Sequence, residues 1–251
     1  GGTFTAFRPV MGETLYPGAT DAVFNDPIPK CNFSAIIDNY GWFVGVEDTS
    51  NYGGMRSSRI LQSKPGSVAA VPVGNFVDVP GDHITAFSSA GSHPVAFTRN
   101  GVFRIEGRYD AFGNGVVRAV KISEAEGAVS QDVIKTDQGI YFPSENGWCW
   151  TDGFQVVNLS KVHLKATYAA LSTKTRMSGC YDTKNGLAYF GVESTVLDAA
   201  TTGKNNACFV LNVKRTELPT GVFTTMSSAT ISSPTLSTTI PLTPESWLVI
   251  N

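Results

Sequence analysis

The sequence is poor in charged residues. Only 16% of its 251 residues are Asp, Glu, Lys or Arg, and the net charge is −2, whereas typical globular domains are about a quarter charged. Proteins that bind nucleic acid through its phosphates need a basic stripe, and no such stripe is evident. We interpret the densest basic stretch as a solvated surface rather than a phosphate-contacting face; it comprises Lys161, His163, Lys165, Lys174 and Arg176.

The four cysteines form no CxxC pair, which excludes zinc-ribbon and thioredoxin-like sites. We expect Cys31, Cys149, Cys180 and Cys208 to be buried free thiols, as in a protein matured in a reducing cytoplasm. No apolar run approaches the roughly 20 residues that span a bilayer, and no signal peptide is recognisable. We therefore expect no membrane association. The chain starts at Gly1 rather than Met, as a processed chain or part of a longer polypeptide would.

Sequence motifs for catalysis and metal binding are also missing. No GxSxG, HExxH or Walker loop occurs, and His83, His93 and His163 lack a metal-ligand spacing. A glycosidase needs two carboxylates that flank the scissile bond; the candidates are Asp78, Asp82, Glu106, Asp152 and Glu193. Glu106 and Asp152 both stand directly before a Gly in similar surroundings, which favours a turn role in which the carboxylate accepts backbone N–H bonds. We predict no enzymatic activity, no catalytic residue, no cofactor and no metal.

Sequence signals for strands and turns, by contrast, are abundant. The octets NGVFRIEG (100–107) and NGWCWTDG (146–153) begin 46 residues apart. Each opens with Asn-Gly, passes through apolar residues and closes with an acid and Gly. Asn and Gly tolerate the positive φ of tight hairpin turns. In the strands that follow, Phe103 alternates with Ile105 and Trp148 with Trp150, a spacing that places each pair on one face.

Further hairpins are predicted at 35–47, 179–194 and 206–226, and the proposed turn glycines are Gly41, Gly101, Gly147 and Gly186. Helical periodicity is weak, and only 198–202 could form a helical turn. Hairpin repeats every 40–50 residues are typical of β-propeller blades. At roughly 45 residues per blade the chain holds about five blades, and a larger ring would need residues of a longer chain. The alternative all-β fold is a β-sandwich or barrel.

The last part of the chain differs in composition. We assign residues 1–226 to the propeller and 227–251 to a tail, because ten of the eighteen residues from Ser227 to Pro244 are Ser or Thr. Such a composition predicts an extended segment. It ends in the apolar run 247–250, which we expect to form a last strand that pairs with the ring edge or with a neighbour. A linker into further sequence is the alternative.

Five stretches, in order, resemble the β-propeller head-completion proteins of short-tailed bacteriophages, of the packaged-DNA stabilisation or tail-nozzle type. They are SSRILQSKPG (57–66), NFVDVPGDHITAF (75–87), PVAFTRNGVFRIEG (94–107), GAVSQDVIKTDQGIYFPSENGWCWTDGFQVVNLS (127–160) and NNACFVLNV (205–213). The resemblance covers 57–213, over half the chain, and its order and spacing are more specific than any single motif. Gln131-Asp132 stand where the family usually has an Arg, and the tail does not align.

The resemblance implies a structural virion protein whose copies form a ring below the portal, closing or extending the DNA channel. Its partners would be its own copies, the portal or adaptor and other tail proteins, with double-stranded DNA passing without specific binding. It would act in the virion tail after assembly in the host cytoplasm. For the ring contacts we select residues 48–72 and the tail from Ser227, because both lie outside the repeated hairpins.

A carbohydrate- or receptor-binding propeller is the alternative function. Aromatic side chains exposed on one face would then stack on sugars, and the candidates are Trp42, Tyr109, Trp148 and Trp150. Alternation along the strand, however, predicts that at least one tryptophan of the second pair is buried.

Overall fold

The all-β class is confirmed in a computed structural model of the chain. It describes residues 25–26, 30–46, 56–72, 74–110, 115–161, 164–171, 173–193, 207–213, 223–227 and 249–250. In this part of the chain the one helix is α1 (Lys165–Ala169), and it is too short to cross a membrane. The candidate helical turn at 198–202 lies outside the described residues.

Most strands of the described ranges belong to four sheets, in which all neighbouring strands are antiparallel except β18 and β19. Sheet I contains β2 (Cys31–Ile37), β3 (Tyr40–Val46), β4 (Arg56–Gln62) and β6 (Phe76–Asp78), and sheet II contains β7 (Ile84–Ala90), β8 (His93–Thr98), β9 (Gly101–Glu106) and β10 (Arg118–Ser123). Sheet III contains β11 (Ile134–Thr136), β12 (Gly139–Pro143), β13 (Trp148–Thr151) and β14 (Val156–Asn158). Sheet IV contains β15 (Thr173–Asp182), β16 (Leu187–Glu193), β17 (Ala207–Asn212), β18 (Phe223–Ser227) and β19 (Val249–Ile250). A separate two-stranded ladder joins β1 (Asn25–Asp26) to β5 (Val71–Pro72).

The strand order tests two expectations about how the chain is organised. Residues 48–72 are not a single long loop, because β4 within them is the third strand of sheet I. The expected last strand is present as β19, which pairs in parallel with β18 at the edge of sheet IV. The backbone of the chain end therefore belongs to the same sheet as the strand that precedes the Ser/Thr-rich segment.

Of the four predicted turn glycines, two are at turns and two are not. The turn between β2 and β3 is made by Asp38 (φ 52°) and Asn39 (φ 65°), two left-handed residues of the kind that type I′ turns need. Gly41 is therefore not the turn glycine and instead lies in β3, and Gly101 likewise lies in β9. Only the predictions for Gly147 and Gly186 hold, since both have positive φ in the connecting loops.

The repeated octet marks an equivalent position in two sheets. Its apolar residues form β9 and β13, which are the third strands of sheets II and III. The hairpins at 35–47 and 179–194 instead join first and second strands, so the four turn glycines do not mark one repeat. Corresponding second strands begin at Tyr40, His93, Gly139 and Leu187, which are 53, 46 and 48 residues apart. These intervals are more even than the 60, 46 and 39 residues between the four predicted turn glycines.

Consecutive sheets pack face to face through three apolar clusters of described residues. Trp42 and Ile60 of sheet I meet Phe103 and Ile105 of sheet II. Sheet II packs on sheet III through other residues, among which the rings of Phe97 and Phe142 are 4.9 Å apart. In the third cluster, Trp148 of sheet III packs on two phenylalanines of sheet IV, with its ring centroid 4.1 Å from that of Phe190 and 5.7 Å from that of Phe209. Phe103, Ile105, Trp148 and Trp150 are all buried between sheets, so both tryptophans are covered where their alternation predicted at least one.

The first strands of neighbouring sheets lie side by side. β2 contacts β7, β7 contacts β11, and β11 contacts β15. Two hydroxyl groups tie them together. Thr85 Oγ1 donates to the carbonyl of Ala128 at 2.6 Å, and Ser130 Oγ donates to the carbonyl of Met177 at 2.8 Å. The four sheets therefore share one inner edge, whereas closure into a ring of about five blades stays a prediction.

Ser130→Ala should lower the free energy of unfolding by about 1–2 kcal/mol, because it leaves the buried Met177 carbonyl without its hydroxyl donor. Urea unfolding followed by tryptophan fluorescence measures the change. Ser67→Ala, at an exposed turn, is the matched control and should stay within about 0.5 kcal/mol of the parent. Equal stability of the two variants would show that the bond between sheets III and IV contributes nothing.

Candidate functional site

A cleft of about 620 Å³ opens where the four first strands meet. Every one of the four sheets contributes to it. Side chains that line it include Asn32 and Phe33 on β2, His83 before β7, Gln131 and Asp132 before β11, and Arg176 on β15. We call it the axial cleft. Loops and strand ends at such a shared inner edge can approach one ligand from several sides.

The axial cleft carries both signs of charge. Beside the cleft, Asp82 Oδ1 accepts hydrogen bonds from the backbone N–H of the lining residue His83 at 2.7 Å and from its Nδ1 at 2.8 Å, and these bonds lower the pKa of Asp82. Asp132 and Arg176 bring a carboxylate and a guanidinium from sheets III and IV. The side chains of Asn32, Gln131 and Arg176 make no hydrogen bond or ion pair with the described residues.

Two hydroxyl groups in the wall are already engaged. Thr85 and Ser130, which line the cleft, donate to backbone carbonyls of the neighbouring sheet. These bonds fix the backbone around the cleft. The groups left for a ligand are therefore the longer side chains that project from it.

Two of the carboxylates proposed for a glycosidase, Asp152 and Glu106, instead bond to groups close to them in the fold. Asp152 Oδ1 accepts the backbone N–H groups of Phe154 at 2.8 Å and Gln155 at 2.9 Å, the turn role predicted from the repeat. For Glu106 that prediction is wrong. It is held instead by two guanidinium groups, Arg104 two residues earlier on β9 and Arg118 opposite it on β10, because at the end of a paired strand its side chain faces other side chains.

Each remaining acid has its own place as well. Asp78 on β6 forms a bidentate pair with Arg59 on β4, with both N–O distances at 2.8 Å. Asp82 is paired with His83, and Glu193 is buried at the end of β16. The acids thus stand on different elements with partners of their own, whereas a glycosidase needs two carboxylates that flank one scissile bond.

The two histidines in the described ranges, His83 and His93, lie in separate surroundings. The ring of His93 packs edge-on against Phe154 at 5.4 Å, whereas His83 lies at the axial cleft and His163 falls outside the described residues. Among the residues that the structure describes, no three His, Cys, Asp or Glu side chains are close enough to hold a metal ion.

Three of the four aromatic candidates for sugar stacking are wrong. Trp42, Trp148 and Trp150 are 0%, 1% and 5% exposed, because sheets cover both faces of their strands. Tyr109 is half-buried, and its hydroxyl donates to the carbonyl of Phe76 at 3.3 Å. The three tryptophans that the sequence suggested for carbohydrate binding are thus part of the packed interior.

The basic stretch is divided between several surroundings. Lys161 and Lys165 are exposed, as expected for a solvated surface. Lys174 lies 3.6 Å from a carboxylate oxygen of Glu145 and over the Tyr168 ring. Arg176 alone of this group faces the axial cleft, and His163 is outside the described residues.

All four cysteines are free thiols. Cys149 is fully buried, and burial raises the pKa of its thiol. Cys31 and Cys208 are half-buried, with burial raising the pKa of Cys208 to about 11. Cys180 is exposed on β15, so the expectation of burial is wrong there.

No protein-family model matches the sequence, and no curated protein matches it. The axial cleft was not found by sequence reasoning. One signal did exist, since Thr85 and Ser130 precede the two copies of the octet by 15 and 16 residues. Their partners, however, are backbone carbonyls that only the folded chain brings near.

Glu106→Gln should destabilise the protein at neutral pH and much less at low pH. The hydrogen bonds from Arg104 and Arg118 hold the pKa of Glu106 below its ordinary value. A carboxylate whose pKa is lowered by folding stabilises the native state above its unfolded pKa, near 4.3, and that stability is lost as the pH falls through the folded value. Thermal unfolding at pH 7 and near pH 2 measures the difference.

Glu124→Gln provides the control, because this side chain is exposed and lies 3.7 Å from a single lysine. It should change the melting temperature little at either pH. A Glu106→Gln variant with the same deficit at both pH values would show that the ion pairs are not its cause.

Proposed function

We propose that the chain is a structural β-propeller protein of a bacteriophage tail or head–tail connector. Its copies form a ring that closes or extends the DNA channel below the portal. One observation supports the proposal: four β-sheets pack face to face in chain order, and their first strands lie side by side. These sheets include the 57–213 stretch whose motifs resemble tail-nozzle proteins.

The serial packing of sheets supports a propeller over a two-layer sandwich. Sheets II and III each bury apolar residues on both faces, because each lies between two neighbours. A sandwich has two sheets and one core between them. In a propeller every blade packs on two others, and the innermost strands surround the axis. Four sheets in the described ranges agree with about five blades, with the remainder supplied elsewhere in the chain or by further sequence.

The ion pairs that three arginines form within the sheets agree with a structural role. Arg59 and Arg104 pair with carboxylates on their own sheets, and so does Arg118. Guanidinium groups held in this way are poor phosphate ligands, because a phosphate contact would break an existing pair. A channel wall with few free cations lets duplex DNA pass, since each phosphate neutralised by Lys or Arg adds affinity.

The isolated chain should bind double-stranded DNA weakly and without sequence preference. Fluorescence anisotropy with two labelled 20-base-pair duplexes of unrelated sequence, in about 150 mM salt, tests this. We expect dissociation constants of about 10 µM or weaker, within the nonspecific range. Submicromolar affinity, or a clear difference between the duplexes, would argue for a DNA-binding protein instead.

Truncation at Ser227 should weaken ring assembly and leave the sheets folded. It removes the tail and β19, the strand that pairs with β18 at the sheet edge. An unpaired sheet edge or tail can supply one of the two different patches that a ring contact needs. Mass photometry and negative-stain electron microscopy of the purified protein measure assembly, and circular dichroism measures folding.

A chain that ends after Ile250 is the matched control, because it retains β19. It should assemble as the complete chain does. Normal assembly of the Ser227 truncation would remove the tail from the contact. A chain that stays monomeric at every concentration, and that is absent from virions, would refute the proposed function.

A further inference from the structure

We propose that the axial cleft is a binding site for a neutral, hydroxyl-rich ligand the size of a mono- or disaccharide. The proposal goes beyond a structural role in a ring. It also differs from sugar stacking on the tryptophans, which are buried. It rests on the side chains that the four sheets bring to one cleft.

The available groups of the cleft both donate and accept hydrogen bonds. The amides of Asn32 and Gln131 each offer donors and an acceptor, and neither makes a hydrogen bond to the described residues. Asp132 adds acceptors, and Arg176 adds donors. A sugar hydroxyl donates one bond and accepts others, so a polyol can satisfy such a mixed set.

The charges disfavour ions as ligands. An anion near Arg176 would also meet the carboxylate of Asp132, and a cation near Asp132 would meet the guanidinium. Asp82 is already engaged by His83, whose Nδ1 lies 2.8 Å from it. A neutral ligand can bond to both kinds of group without meeting repulsion from either.

The size and walls of the cleft suit a small ligand. Its volume of about 620 Å³ lies within the range of small-molecule sites, about 300–1,000 Å³. Phe33 contributes a half-buried aromatic surface to the C–H face of a sugar. Asn32, His83, Gln131 and Arg176 are solvent-exposed, so a ligand reaches them without rearrangement. The hydroxyl bonds of Thr85 and Ser130 hold the wall in place beforehand.

Saturation-transfer NMR on the complete chain tests the proposal. The probes are maltose, galactose and N-acetylglucosamine, with inorganic phosphate and glycine in separate titrations. We expect saturation transfer to at least one sugar, with an affinity of about 1 mM or tighter. Gln131→Ala and Arg176→Ala should each weaken that binding about fivefold or more, the effect of losing one hydrogen bond.

Gln155→Ala and Arg118→Ala are the matched controls, because both side chains are exposed and neither lines the cleft. They should bind as the parent does. Melting temperatures of all four variants separate lost binding from lost folding. Absence of transfer to every sugar, equal binding by folded cleft variants, or binding of phosphate or glycine alone would each overturn the proposal. Since the readout uses the isolated chain, its result is independent of ring assembly.

Discussion

The packing of each sheet's face on the next sheet is the constraint on which the rest of the structure depends. A four-stranded meander has two faces, and in sheets II and III both are apolar. Such a sheet is stable only between neighbours, because an exposed face would leave large side chains such as Phe97 and Trp148 in water. Burying one such side chain contributes about 1.5–3 kcal/mol, more than any single surface ion pair supplies. The apolar faces therefore hold sheets II and III between their neighbours in the chain.

This constraint also decides where polar chemistry can occur. With the faces of the sheets committed to packing, polar side chains are left with the sheet edges and the connecting loops. At strand ends and turns these side chains stabilise the local structure, as Asp152 does in its turn and Glu106 does between two arginines. At the shared inner edge, the side chains of Asn32, Gln131 and Arg176 remain unpaired among the described residues. The axial cleft is thus one part of the described structure where polar side chains have no described partner that would stabilise the fold.

The sequence predicted the strands better than their surroundings. Alternating apolar residues and Asn-Gly turns located the hairpins, and the repeated octet marked equivalent third strands, because both signals are local. The first turn was misplaced, since Asp38 and Asn39 adopt the positive φ that was assigned to glycine. Burial of the tryptophans could not be predicted in full, because a strand covered on both faces loses its alternation of apolar and polar residues. The cleft could not be predicted from the sequence, because its walls come from residues between 32 and 178, which only tertiary packing brings together.

Sheet I shows how the series of sheets continues at its N-terminal end. Its face away from sheet II carries a second apolar cluster, in which Phe43, Val46 and Leu61 pack with Val71 of β5. Gly45, with a positive φ of 69°, interrupts the register there and turns Val46 to the same side as Phe43. The ladder of β1 and β5 therefore occupies the place in which the next sheet of a propeller would pack. If the sheets close into a ring, closure must involve this end of the series and sheet IV, since both faces of sheets II and III are already packed.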